Sequence, residues 1–133
     1  MAASDTGLYT ARAVSRDDAV SVEGATPDRL AVHSPGELGG PDGGWNPERL
    51  YAAALATCLH QSLVLVSSSA GVDTADASVR AEVTLRTDDG GAYHLDAALR
   101  VDLPGADPGA RERLVGLAAA HCPMVDESQV TAS

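Results

Sequence analysis

The sequence predicts an α+β fold in which antiparallel sheets surround a buried central helix. Three observations carry this. Residues 46 to 68 form one long stretch, and from Leu50 to Val66 it is apolar or small on every face, the mark of a helix enclosed by other elements. Residues 77–86 and 92–103 alternate polar and apolar around Asp88-Asp89-Gly90-Gly91, which reads as a hairpin. Finally, Leu114, Leu117, Ala118 and His121 fall on one side of a helix spanning Pro108 to Cys122.

Taken in order, Leu8-Tyr9-Thr10-Ala11-Arg12-Ala13-Val14 alternates as a strand does. Beyond the charged Arg16-Asp17-Asp18, Ala19-Val20-Ser21-Val22 is its hairpin partner. A turn over 24–28 leads to a short strand, Arg29 to His33, giving a three-stranded start. The glycine-rich loop 35–45 lacks the G-x-x-x-x-G-K-[ST] pattern, so it implies no phosphate cradle and serves to bring the chain round to the helix. That helix opens well. Asn46 caps free amides, Pro47 suits the first helical position, and Glu48 sets negative charge against the positive end of the dipole. Gly71 ends the pattern. After the hairpin and the second helix, the tail from Met124 to Ser133 is short and nearly polar, so a final strand is expected to be truncated or missing.

With 133 residues and 44% hydrophobic content, residues 1–133 are expected to form a single domain with one core. Phenylalanine is absent and aromatics make up 3%, which leaves Ala, Val and Leu to build that core. A net charge of −10 disfavours nucleic acid and anionic membrane surfaces as partners. No secretory leader and no apolar run of the ~18 residues that would cross a bilayer is expected, and the default compartment is cytoplasmic. In that compartment two cysteines 64 residues apart, Cys58 and Cys122, are better read as a redox pair than as a structural disulfide. Taken alone, a cysteine in an alanine-rich helix is more often an inert small hydrophobe.

The motifs change that balance. Leu8-Tyr9-Thr10-Ala11, then Pro35 to Gly40 with its glycine-rich continuation, then Asn46-Pro47-Glu48 through Cys58, and finally Cys122-Pro123 follow one another in fixed order. Together they resemble the organic hydroperoxide resistance proteins of the OsmC/Ohr family, from about residue 8 to residue 123. The resemblance implies an intertwined homodimer and a thiol peroxidase that reduces organic hydroperoxides to alcohols without metal or other cofactor. It further implies that Cys58 attacks, Cys122 resolves, and a dithiol reductant of lipoyl type reopens the bond.

Such chemistry needs a thiolate, whereas an unperturbed cysteine has a pKa of about 8.5 and burial raises it. Cys58 lies too far along its helix for the dipole to help, so a cation must stand beside it. By the resemblance, Arg16 takes that place, with Arg12 as its rival, and Glu48 can hold the guanidinium in a bidentate pair. On the residues alone, a solvated turn arginine and an ordinary helix-start glutamate are the favoured reading of the two. Glu48 precedes Cys58 by ten positions, about 15 Å along a straight helix. If Arg16 and Glu48 act with Cys58 as the resemblance implies, the simplest arrangement is a composite site in which a second copy supplies both; a break in the helix near residues 52–54, or a loop that carries Arg16 back within its own subunit, is the competing explanation. A zinc site built from Cys58, His60, His121 and Cys122 is disfavoured because Cys-x-His diverges on a helix. An alternative within the family is a ligand-binding or electrophile-scavenging thiol protein, motivated by Leu59-His60-Gln61 and Met124-Val125 beside the cysteines.

Overall fold

Residues 5–41 and 43–133 are described by the structure, a computed structural model of the protein; Asp42, in the glycine-rich run, lies outside them. The chain falls into two compact units, divided between Pro47 and Glu48.

In the first unit, β1 (Ala13–Arg16), β2 (Ala19–Val22) and β3 (Arg29–Ala31) form an antiparallel sheet in that order. The β1–β2 turn closes on Asp17, whose φ of 57° is the left-handed conformation that a short polar side chain tolerates. Two expectations are corrected here. Residues 5–12 belong to no strand, and of them the Arg12 carbonyl oxygen accepts the Glu23 N–H at 3.0 Å; Leu8 is left 92% exposed, because the β1–β2 register covers Ala13–Arg16 only. Arg12 consequently precedes the strand, and Arg16 ends it. In the following loop a methyl group at Gly40 would collide with the Ser34 carbonyl oxygen, so only glycine fits there. His33 then donates its N–H to the Trp45 carbonyl oxygen at 3.0 Å, which ties off the loop just before the helix.

The second unit is built on α1 (Pro47–Ser69). Only Leu55, Leu59, Leu63 and Ser67, one row spaced by four, are buried. The sequence reads this helix as enclosed on every face, yet within one chain it is covered along a single row, and Leu65 is 68% exposed. By length and composition α1 also passes as a membrane-crossing segment, contrary to expectation, with a mean hydropathy of 1.5 over its most apolar window. Its leucine row nonetheless belongs to a core shared with the rest of the unit.

β4 (Ser78–Thr87) and β5 (Tyr93–Asp102) pair antiparallel along their whole length, from Ser78 opposite Asp102 to Thr87 opposite Tyr93. The Asp88 carboxylate accepts N–H bonds from Gly90 and Ala92, both 2.9 Å, and so closes their turn. Next, Asp107 caps α2 (Pro108–His121) through the Ala110 N–H at 2.9 Å, with proline at the start of the helix. The final strand exists but is truncated to three residues, β6 (Val130–Ala132). It runs parallel to β5, so this sheet is mixed instead of antiparallel. The helical crossover supplies the reason, since α2 carries the chain back before β6 begins.

Arg111 fastens this arrangement. Its guanidinium donates to the main-chain oxygens of Leu103 (3.1 Å), Ala106 (3.0 Å) and Ser133 (2.9 Å), joining the end of β5, the loop after it and the end of β6 to α2. Replacing Arg111 by Met keeps the apolar stem and removes all three bonds. The expected cost is about 2 kcal/mol, a fall in Tm of roughly 6–10 °C by circular dichroism. A Tm within 2 °C of wild type would show that the clamp adds no stability.

Candidate functional site

Cys58 sits on α1 one residue before Leu59, at the edge of the buried row, and is half-buried. Cys122 follows the last turn of α2. Its backbone has left the helical region, its N–H reaches the Ala119 carbonyl oxygen at 3.3 Å, and it is 4% exposed. The leucine row of α1 and the Leu114, Val115 and Ala118 positions of α2 belong to one core cluster, which also includes Cys122. This packing brings the two sulfurs to 3.1 Å, with the Cys122 thiol directed at Cys58 Sγ. Both are free thiols. Closing a disulfide at about 2.05 Å would take a displacement of roughly 1 Å.

Burial pushes the Cys58 thiol above its ordinary value, and the Cys122 thiol beside it pushes in the same direction. Only the Met124 backbone N–H, donating to Cys58, opposes them. Sequence reasoning missed that donor because a main-chain N–H leaves no side-chain signature; its place just after Cys122-Pro123 is the single hint. Glu48 stands in the first turn of α1, with Oε2 shielded from solvent and without a hydrogen-bond donor among the described residues. Arg16 belongs to the N-terminal unit, where it is exposed and lines a hollow of about 290 Å³ with Val14, Ser21 and Arg29. Arg12 is exposed too. Of the expected site residues, then, the structure brings Cys58 and Cys122 together. Among the described residues no group of three or more His, Cys, Asp or Glu gathers in a way that could hold a metal ion.

The family model for OsmC-like proteins matches residues 40–128, a span that holds both cysteines. The chain belongs to the OsmC-like family. An organic hydroperoxide resistance protein of Xanthomonas axonopodis pv. citri is 33% identical over 123 residues, which cover 91% of this chain and 80% of that protein. Among solved structures, an organic hydroperoxide resistance protein from Elizabethkingia anophelis superposes with a TM-score of 0.84 at 26% identity, covering 97% and 99% of the two chains. Its counterpart from Legionella pneumophila gives 0.78 at 28% identity, over 96% of each chain. The OsmC-like fold of this chain, two helices with two small sheets, is thus the one those proteins share, and the relatives support a peroxide-related role.

The environment of Cys58 has a testable sign. Its neutral form is favoured by burial, so without an added cation the thiolate should appear only at alkaline pH. In Arg16→Ala, iodoacetamide alkylation of Cys58, followed by peptide mapping, should remain slow at neutral pH and reach half its limiting rate above the ordinary cysteine value. A half-titration at or below that value would contradict the environment described.

Proposed function

We propose that this OsmC-like protein is a thiol peroxidase that reduces apolar organic hydroperoxides to alcohols. The observation that carries the reading is the pair of free sulfurs 3.1 Å apart, one half-buried and reachable, the other in the core. Cys58 thiolate attacks the distal oxygen, the O–O bond breaks, and the alkoxide leaves as an alcohol after taking up a proton. Cys58 becomes a sulfenic acid. Cys122 then attacks its sulfur, water leaves, and the Cys58–Cys122 disulfide remains, to be reopened by a lipoyl-type dithiol. No resident cofactor enters this scheme. Cys58 packs against a core of Leu, Val and Ala, and an alkyl chain that buries itself there gains about 0.8 kcal/mol per CH₂, which favours an organic hydroperoxide over hydrogen peroxide.

In this reading Arg16 supplies the charge that stabilises the thiolate and the donors for the peroxide oxygens, and Glu48 orients it. The donorless Glu48 Oε2 supports a guanidinium partner, since a shielded carboxylate oxygen without one is costly. Both residues come from a second copy of the chain, in an intertwined homodimer whose two units act as one domain in the cytoplasm. Two observations support the dimer: only 22% of the apolar window of α1 is buried, and Leu8 and Tyr9 are exposed.

One equivalent of cumene hydroperoxide should consume both thiols in the wild type and yield the Cys58–Cys122 disulfide by mass spectrometry. Cys58→Ser should abolish reduction, and Cys122→Ser should complete one turnover and stall as an oxidised Cys58. Equal single-turnover rates in wild type and Cys58→Ser would sink the assignment.

Subunit sharing has its own test. Mixing inactive Cys58→Ser with inactive Arg16→Ala under conditions of proven subunit exchange should restore up to one working site per mixed dimer. No recovery would mean that each chain builds its site alone.

A further inference from the structure

One helical turn after Cys58, Ser62 donates its hydroxyl to the Ala118 carbonyl oxygen at 2.8 Å. Ala118 stands one turn before Cys122. The bond therefore joins α1 to α2 four residues from each sulfur, on the faces where residues four apart lie one above the other. The remainder of the cluster that holds the two helices together is apolar, built from Leu55, Leu59, Leu63, Leu114, Val115 and Ala118. Apolar burial is non-directional and tolerates sliding; a hydrogen bond fixes register. Ala118 is fully buried and Ser62 half-buried, so removing the hydroxyl takes a protein partner from the Ala118 carbonyl oxygen.

We propose that Ser62 is the positioning residue of the dithiol: its bond to Ala118 clasps α1 to α2 one turn from each cysteine and keeps Cys58 and Cys122 within bonding reach. In the cycle proposed above, on which the catalytic part of this inference rests, the step affected is the attack of the Cys122 thiol on the Cys58 sulfenic acid. That step forms the S–S bond and releases water. Ser62 touches neither substrate nor the reacting atoms and acts through the geometry of the helix pair.

The test needs no peroxide. Reduced protein is equilibrated with glutathione disulfide, so that two protein thiols become one disulfide while two glutathione thiols form. Ser62→Ala should lower this exchange constant roughly threefold to tenfold, the worth of one hydrogen bond. Ser62→Thr, which keeps a hydroxyl, should restore it to within about twofold. Melting of the reduced and oxidised forms separates positioning from plain stability. If the clasp brings the sulfurs into bonding reach, its loss in Ser62→Ala destabilises the disulfide form more than the dithiol form. A merely structural bond lowers both equally and leaves the exchange constant unchanged, and that result overturns the proposal. So does a Ser62→Thr constant that falls with that of Ser62→Ala while its stability stays at the wild-type level. Hydroperoxide turnover by the wild type is scored separately, so a failed peroxidase reading and a failed clasp give different results.

Discussion

The arrangement depends on one row of side chains. Leu55, Leu59 and Leu63, spaced by four along α1, share a core with Leu99, Val101 and Leu103 of the sheet region and Leu114, Val115 and Ala118 of α2. Successive helical positions are about 100° apart, so the residue preceding Leu59 must stand at the margin of the buried row. Cys58 is there, half-buried, while Cys122 closes α2 inside the core. The same packing thus gives the two thiols unequal access. Cys58 is the more accessible of the two, which is the asymmetry that the proposed attacking and resolving roles require.

Much of this was legible in the chain, and the parts that were not share a cause. The long helix, the hairpin strands and α2 fall within about a residue of their expected bounds, because each carries its own signal: Asn46 and Pro47 at a helix start, helical spacing after Pro108, period-two alternation, and an Asp-Gly turn. What periodicity cannot report is the partner. Leu8 to Ala11 alternates like a strand, yet among the described residues no strand pairs with it. Likewise β6 was foreseen as truncated, but its parallel direction depends on the α2 crossover and not on its own three residues. α1 looks enclosed by composition, whereas composition states how apolar a face is and not what covers it. As for the site, motif spacing marked the two cysteines, while their approach to 3.1 Å rests on packing that no local pattern encodes.

Electrostatics narrows what the site needs. Burial favours the neutral form of Cys58, and the Cys122 thiol beside it acts in the same direction. Distant charges on this surface are screened within roughly 8–10 Å at physiological salt, so neither excess acid nor a remote cation sets the state of this thiol. What counts is a donor in contact. Within the second unit that donor is the Met124 N–H, a single neutral dipole set against desolvation and a neighbouring thiol. A guanidinium in contact differs in kind, since it brings a full charge and several donors in a fixed plane. Hence an arginine, and not the helix or the overall field, is the element the proposed chemistry turns on.

The same charge distribution bears on which oxidants can approach. An acidic surface repels anions on the way in and leaves neutral molecules unaffected, so a neutral hydroperoxide meets no electrostatic barrier where an anionic oxidant would. Discrimination among neutral oxidants then falls to apolar burial, which rewards an alkyl chain and gives hydrogen peroxide nothing. The uncovered apolar face of α1, including the exposed Val64 and Leu65, adds to this only once something covers it, because a surface open to water gains little from a passing alkyl group. In the proposed reading, selectivity for an apolar substrate and burial of that face in a homodimer are therefore one requirement seen from two sides.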